Sequence, residues 1–164
     1  MKAITITQPW ASAIALGIKH VETRSWRTPY RGPLLIHAAK GFPPYAREFA
    51  EVERALGRVS ARVPLGAVVA VARLADVRPT EDVALEVPPL ERLYGDYTPG
   101  RWAWMLDDVR PLGEPIPCKG ALGLWTPDDE LCRAVAVRSA PVPVCAVCGH
   151  PKDASREAER RVGA

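Results

Sequence analysis

The sequence lacks any uninterrupted apolar run of about 18 residues, the length that a membrane-spanning helix needs. Its N-terminus, MKAITITQ, has one lysine followed by alternating polar and apolar residues, so it also lacks the charged region and long apolar core of a secretory signal. These two absences predict a soluble, cytoplasmic protein that has no membrane partner.

The motifs of the common nucleotide-dependent enzymes are missing as well. No glycine-rich loop ends in lysine followed by serine or threonine, and no GxGxxG follows a predicted strand. The zinc-protease motif HExxH and the nucleophile elbow GxSxG do not occur either. Enzymes that use nucleoside triphosphates or dinucleotides are therefore disfavoured.

Cysteine is scarce, with four irregularly spaced residues in a chain of 164, which does not suggest a disulfide framework. Cys145, Cys148 and His150 have the spacings of zinc ligands, but a structural site needs four, and only Cys118 or Cys132 could add another. Free thiols in a C-terminal tail are the favoured interpretation. The sequence thus predicts no metal and no cofactor, with a zinc knuckle as the alternative.

Positive charge is present but concentrated in one short window. The chain has 22 Lys and Arg against 19 Asp and Glu, and the remainder outside residues 19–31 is electrically balanced. That window contains four cations and one acid, which are Lys19, Arg24, Arg27, Arg31 and Glu22. A neutral body with one cationic segment flanked by aromatic residues is typical of a protein that binds phosphate-bearing ligands.

Proline and glycine divide the first half of the chain into short elements. A helix begins at Pro9 and ends at Gly17, and a second helix begins at Pro44 with Phe49, Val52 and Leu56 on its apolar face. Three strands are predicted from residue alternation or continuous apolar character: Ala3–Thr7, His20–Trp26 and Pro33–Ala39.

The second half contains the strongest predicted strand, the valine-rich run Gly66–Asp76. A long, proline-rich excursion follows, and its end at Tyr94–Trp102 is interpreted either as a lid over a cleft or, slightly favoured, as an ordinary loop packed by its tyrosines. Two more strands and a helix with a Thr126 cap complete the chain: Arg101–Val109, Gly120–Trp125 after a turn at Pro115–Lys119, and residues 128–138.

These elements predict one α+β domain over residues 1–127, a short helix over 128–138 and a proline- and cysteine-containing, flexible tail over 139–164. Five or six short strands with two or three covering helices favour a small mixed sheet or barrel.

Several segments in this order resemble one family, the ASCH domain family (activating signal cointegrator homology). They are QPWAS, GIK, VETRSW, TPYRG, LLIHAA, the valine-rich strand and GALGLW, within residues 1–127. The resemblance implies a PUA-like small β-barrel whose GxKxxExR-type strand lines a cleft. It also implies binding of RNA or another single-stranded nucleic acid.

A short bacterial branch of this family hydrolyses the acetyl amide of N4-acetylcytidine with a lysine, a threonine three residues later and a glutamate. Here Lys19 matches that lysine, but Glu22 stands at the threonine's position.

The candidate site centres on Lys19 and Glu22. Lys19 is predicted at the cleft mouth, as a phosphate clamp or as a base or nucleophile, and a solvated turn lysine is the alternative. Glu22 and Arg24 lie two residues apart on one strand face, which suits a carboxylate oriented by a guanidinium, although a structural ion pair explains them nearly as well. Further ligand-binding candidates are Trp10 and Trp26 for base stacking, Gln8 for a base edge and Arg31 for a phosphate.

Three hypotheses follow from these residues. The preferred one is a module that binds RNA or another nucleotide in the cleft. The second is a hydrolase acting on RNA or a modified nucleoside, either an amidohydrolase or a ribonuclease, with Lys19 and Glu22 as its catalytic residues. The third is an adaptor that binds a protein partner through its tail.

Overall fold

The computed structural model describes residues 1–60 and 62–139 of the chain. Within them, six strands form one mixed sheet that curls into a half-barrel, with the order β2-β5-β4-β3-β1-β6. Strands β1 and β3 pair in parallel, and the other neighbours pair antiparallel. The strands are β1 Lys2–Ile6, β2 Val21–Arg24, β3 Gly32–Ala38, β4 Ala67–Pro79, β5 Trp102–Pro117 and β6 Leu124–Trp125.

Five short helices accompany the sheet in the described part of the chain. They are α1 Trp10–Ala15, α2 Pro44–Ala55, α3 Thr80–Val83, α4 Pro89–Arg92 and α5 Asp129–Arg138. Helix α1 packs against β3, β4 and β5, whereas α5 packs against β5. This architecture confirms the predicted α+β class with a small curled sheet, although the described residues form five short helices where two or three were predicted.

The core lies on both faces of the sheet because the central strands carry apolar side chains on both sides. In β3, Leu34 and Ile36 join a cluster with Trp104, while Leu35 between them joins a second cluster with Leu131 of α5. Successive strand residues point to opposite faces, so a strand covered on both sides has a continuous apolar run. This explains why the run at residues 34–36 was recognisable as a buried strand.

Four strands differ from their predicted lengths. Strand β4 continues to Pro79 instead of Asp76, and β6 is only Leu124–Trp125 instead of Gly120–Trp125. For β2 and β5, the partner strands determine where the strands end. Strand β2 is shorter than the predicted His20–Trp26, since it pairs with β5 and stops where Arg24 meets Trp102, the first residue of β5. Strand β5 continues to Pro117, into the predicted turn at Pro115–Lys119, because its second half pairs with β4 up to Ala67. Register shifts along the β4–β5 pair accompany the bending of these long strands.

Helix α2 buries a different face from the predicted one. Val52 and Leu56 are 56% and 57% exposed, whereas Ala46, Ala50 and Glu53 are buried. The buried side of the helix accommodates Tyr94, whose hydroxyl group donates a hydrogen bond to Glu53, and small and polar residues lie there instead of bulky apolar ones. Phe49 alone of the predicted set has a large aromatic contact, a stack on Trp10.

The N-cap of α5 is Asp128 instead of Thr126. The Asp128 carboxylate accepts a hydrogen bond from the Leu131 amide over 2.7 Å, which satisfies one of the free amides at the start of the helix. From Ala140 onward the predicted tail, with Cys145, Cys148 and His150, lies outside the described residues. No helix of residues 1–60 and 62–139 is long and apolar enough to cross a bilayer.

Candidate functional site

A cleft of about 520 Å³ opens between the ends of β1 and β2, the starts of α1 and α2, and the segment that follows α4. We call it the cleft from here on. Its lining is a mixture of aromatic, hydroxyl and charged side chains together with two aliphatic residues and one glycine: Thr5, Ile6, Thr7, Trp10, Glu22, Thr23, Arg24, Tyr45, Leu93, Tyr94, Gly95, Asp96 and Arg101. Of the seven predicted ligand-binding residues, Trp10, Glu22 and Arg24 belong to this lining.

Glu22 is the charged centre of the cleft. One carboxylate oxygen, Oε2, lies 3.3 Å from Lys19 Nζ, and the other, Oε1, lies 3.1 Å from Arg24 Nε. The Arg24 Nε–H does not point at that oxygen, so this contact is an ion pair without a hydrogen bond. Arg24 also donates from Nη2 to the Thr5 carbonyl over 2.9 Å, which ties β2 to β1 across the cleft. Two cations therefore hold one carboxylate in a fixed position.

Lys19 lies behind the cleft wall and not at the cleft mouth, because only 1% of it is exposed. Its ammonium group donates to the carbonyls of Val21 over 2.5 Å and Tyr94 over 2.9 Å and contacts Glu22 as its third partner. A buried ammonium group is stable only when such partners replace its water. Lys19 thus orients Glu22 and joins β2 to the wall at Tyr94.

Trp10 forms the aromatic wall of the cleft. Its indole ring stacks on Phe49, with ring centres 5.4 Å apart and planes inclined by 6°, and Tyr45 lies 6.2 Å away. The two helices α1 and α2 therefore present one rigid aromatic surface. Gln8, just before α1, is fully buried and serves the backbone: its side chain donates to the Pro64 carbonyl and accepts from the Ser12 amide.

The structure places Trp26 and Arg31 away from the cleft. Trp26 packs edge-on against Trp104, with ring centres 4.7 Å apart. Arg31 forms an ion pair with Asp76 over 3.1 Å. A hydrogen bond from the Val77 amide, followed by the one from Arg31, holds the pKa of Asp76 below its usual value.

The four cations of the window at residues 19–31 all have partners in the fold. Lys19 and Arg24 contact Glu22, Arg31 contacts Asp76, and the guanidinium of Arg27 lies 5.2 Å from the centre of the Trp102 ring. The local charge excess that the sequence shows is therefore spread over several contacts and does not form one bare basic patch.

Residues 93–96 and Arg101 form one wall of the cleft. The sequence predicts the segment Tyr94–Trp102 as a lid over a cleft or as a packed loop, but it predicts none of these residues as part of the site. Tyr94 donates from its hydroxyl group to Glu53, which Arg58 also holds over 2.8 and 3.2 Å. Burial raises the pKa of the Tyr94 phenol, and the neighbouring Glu53 raises it further. Burial alone would raise the pKa of Glu53, but hydrogen bonds from Arg58 and Tyr94 lower it below its usual value.

Asp96 and Arg101 add a second opposed pair to the cleft, with Arg101 Nε 3.2 Å from Asp96 Oδ2. The Asp96 amide donates to Thr23 Oγ1, and hydrogen bonds from the Thr98 hydroxyl and amide lower the pKa of the Asp96 carboxyl. The lining thus contains two carboxylates and two guanidinium groups. No short motif marks Asp96 or Arg101, because they reach the cleft only through the path of the chain after α4.

Within residues 1–60 and 62–139, no three or more His, Cys, Asp or Glu side chains are grouped as a metal site would require. Cys118 and Cys132 are free thiols. The candidate zinc ligands Cys145, Cys148 and His150 lie outside the described residues.

Comparison with known proteins gives the same family as the one that the sequence segments resemble. Residues 4–114 match the family model described as ASCH domain. Over 50 residues, which are 30% of this chain, the sequence is 50% identical to activating signal cointegrator 1 of Mus musculus and 48% identical to that of Homo sapiens. Those matches cover 8% of the cointegrators' length.

Two solved structures have a fold similar to that of this chain. The crystal structure of ASCH from Zymomonas mobilis superposes with a TM-score of 0.54 at 19% identity, over 84% of this chain and 95% of that one. A mutant of the same protein superposes with the same score over 98% of its length. At this identity the likeness concerns the fold.

Proposed function

Since this chain belongs to the ASCH domain family, we propose that its cleft holds one nucleotide of a single-stranded nucleic acid, with RNA as the expected ligand. The observation that carries the proposal is that the Trp10 ring, stacked on Phe49, and the Glu22 carboxylate, held by Lys19, border one cavity. The volume of about 520 Å³ lies within the range of roughly 300–1,000 Å³ that is usual for small-molecule sites.

The aromatic wall supports stacking of a base. Phe49 supports the Trp10 ring from within the protein, and the ring also borders the cleft. Stacking on such a ring contributes about 1–3 kcal/mol per base and tolerates different bases, because every base has a π-face.

The polar groups that border the same cavity as Trp10 support recognition of a base edge. A carboxylate accepts hydrogen bonds only, so Glu22 fits an exocyclic amine such as N4 of cytosine. Arg24 and Arg101 border the same cavity and offer donors to carbonyl oxygens. Since Lys19 and Arg24 hold the carboxylate before any ligand arrives, little side-chain entropy is lost on binding.

Two tryptophans of similar partial burial allow a matched test. Each packs on another aromatic ring, but only Trp10 borders the cleft. We expect Trp10→Leu to weaken binding of short RNA oligonucleotides by about tenfold or more, measured by isothermal titration calorimetry, because a stacked base loses its platform. Trp26→Leu should leave the affinity within about twofold. Equal losses in the two variants would contradict base binding in the cleft.

Hydrolysis is the second candidate function, and the contact between Glu22 and Lys19 favours it. In that case Glu22 takes a proton from an attacking water and returns it to the leaving amine or oxygen, while Lys19 keeps the carboxylate in place. The substrates to test are RNA oligonucleotides and modified nucleosides, including N4-acetylcytidine, with products followed by mass spectrometry.

The cleft contains a matched carboxylate for this test. Glu22→Gln should lower turnover by about 10²-fold or more, whereas Asp96→Asn, which changes the other cleft carboxylate, should not. Thermal melting checks that both variants are folded. Absence of product from the unmodified protein across the panel would rule out this reaction and leave the binding function.

A further inference from the structure

A second cavity, of about 1030 Å³, lies beside the cleft and has no role in the function proposed so far. The segment between β5 and β6 forms one side of it, and the end of β3 and the residues just before β4 form the other. Its lining consists of Thr5, His37, Lys40, Leu65, Gly66, Pro117, Cys118, Lys119, Gly120, Ala121 and Leu122.

Thr5 is the wall that the two cavities share. Its carbonyl accepts the hydrogen bond from Arg24 on the cleft side. Its hydroxyl donates to the Ala121 carbonyl over 2.9 Å and accepts from Trp125 Nε1 over 3.2 Å on the side of the second cavity. Because Thr5 borders both cavities, a strand longer than one nucleotide can occupy both.

The two cavities differ in charge. In the cleft, each guanidinium group faces a carboxylate, Arg24 with Glu22 and Arg101 with Asp96. The lining of the second cavity contains Lys40 and Lys119 and no carboxylate. Neither ammonium group forms an ion pair within the described residues. An anionic group therefore finds uncompensated positive charge in the second cavity and not in the cleft.

The floor of the second cavity is rigid and uncharged. His37 is 2% exposed, and burial holds its pKa below its usual value, so the ring is neutral near pH 7. Its Nε2 lies 3.2 Å from the Cys118 carbonyl, and Trp125 packs edge-on against it. Gly120 passes so close to this ring that a Cβ there would lie 2.4 Å from His37 Cε1. The lysines thus stand beside a fixed surface, which suits a ligand held by its charge and its apolar faces.

We propose that the second cavity binds the phosphodiester backbone of the strand adjoining the nucleotide in the cleft, with Lys40 and Lys119 contacting phosphates. This inference rests on the proposed binding of a nucleotide in the cleft. It divides recognition between the cleft, which selects the base, and the second cavity, which binds the backbone. The preferred ligand is therefore an oligonucleotide and not a free nucleoside.

The test compares two double variants that remove the same charge. Lys40→Ala with Lys119→Ala changes the second cavity, and Arg54→Ala with Arg133→Ala removes two exposed cations that border neither cavity. Binding of a nucleoside panel and of short RNA and DNA oligonucleotides is measured between about 50 and 200 mM salt.

We expect the lysine variant to bind oligonucleotides about tenfold more weakly and to reduce the slope of log K against log salt by about 0.7 per lysine, while its nucleoside binding is unchanged. The arginine variant should differ little from the unmodified protein.

Equal behaviour of the two double variants towards oligonucleotides would overturn this inference and leave base binding in the cleft intact. Failure of the proposed base binding would show instead as equal affinities of Trp10→Leu and Trp26→Leu, so the two failures are distinguishable. Equal affinity for RNA and DNA would support a backbone site that reads phosphate alone, whereas salt-independent binding would overturn it.

Discussion

At the residue scale, the pair of Lys19 and Glu22 shows how a structural and a functional role coincide. Lys19 is buried with two carbonyls and one carboxylate as partners, so removing it would leave Glu22 partly unpaired and two acceptors unsatisfied. Breaking such a buried pair by removing one partner typically costs about 3–5 kcal/mol. A loss of activity in a Lys19 variant would therefore not distinguish catalysis from folding, which is why the tests above change Trp10, Glu22 and Asp96.

Two tyrosines near the cleft allow a residue-level prediction. The Tyr94 hydroxyl donates to Glu53, whereas the buried Tyr97 hydroxyl has no hydrogen-bond partner among the described residues. We expect Tyr94→Phe to lower the free energy of unfolding by about 1–2 kcal/mol, because Glu53 loses a donor in a buried position. Tyr97→Phe should be neutral or slightly stabilising, since it removes a polar group without a partner.

Urea unfolding of both variants measures these changes. Tyr94 shapes the cleft wall, so oligonucleotide binding is measured on the same samples. Equal destabilisation by the two substitutions would contradict the assignment of the Glu53 hydrogen bond to Tyr94.

At the element scale, the cleft depends on short segments held by few contacts and not on long helices. Helices α1 and α2 meet through the stacked rings of Trp10 and Phe49, and the segment after α4 is joined to β2 by Lys19 and Thr23. The segment between β5 and β6 similarly lies on His37 and Thr5. Each segment forms one wall of a cavity, so a substitution that displaces a segment tests the part of that segment in binding.

Gly120 tests the packing of the segment between β5 and β6. A Cβ at this position would lie 2.4 Å from His37 Cε1 and 2.7 Å from Thr5 Oγ1, so the segment must move away from the sheet. We expect Gly120→Ala to lower the free energy of unfolding by about 1–3 kcal/mol. It should also weaken oligonucleotide binding, because Lys119 moves with the segment.

Gly113→Ala is the matched control, since a Cβ there meets nothing within 4 Å. It should leave both the unfolding free energy and the affinity nearly unchanged. Tolerance of Gly120→Ala without any change in affinity would show that the segment is not held against His37.

At the scale of the whole molecule, titratable groups with shifted pKa values make stability depend on pH. The pKa values of the Glu53, Asp76 and Asp96 carboxyls are lowered by their hydrogen bonds, so these groups stabilise the fold above their ordinary pKa values of 3.8 to 4.5. That contribution is lost as the pH falls through their folded values. His37, whose pKa is lowered by burial, adds a decline that begins below its ordinary value of 6.5, because the unfolded chain takes up its proton first.

We therefore expect the free energy of unfolding to be greatest near neutral pH, to fall gradually below pH 6.5 and to fall steeply below pH 4.5. Urea unfolding at a series of pH values measures the curve. Glu53→Gln should reduce the difference between the free energies of unfolding at about pH 7 and at about pH 3.5, because that side chain then has no charge to lose. Stability that rises on acidification from pH 6.5 would contradict the assigned shifts.

The local sequence pattern was enough to predict some of the strands, the family and part of the cleft. The continuous apolar run at residues 34–36 and the valine-rich run after Gly66 identified two central strands, because a strand buried on both faces shows in its own composition. The ordered segments from QPWAS to GALGLW identified the family, which the match over residues 4–114 confirms. Trp10, Glu22 and Arg24 were also recognised as neighbours of one cleft, because a short helix, turn and strand bring them together within 15 residues of chain.

Contacts between distant parts of the chain decided which further residues border the cleft and which predicted site residues are buried. Tyr94, Asp96 and Arg101 reach the cleft only because the chain after α4 folds back onto β2, and no periodicity near them reports that path. Lys19 and Gln8 likewise each have one distant partner, 75 and 56 residues away, which helps to bury a predicted clamp and a predicted base reader in the fold. By itself, the sequence determined which segments become strands and which family they form, since these depend on local residue order. Only the tertiary structure decided which charges remain uncompensated, since a side chain's partner depends on the distances between elements.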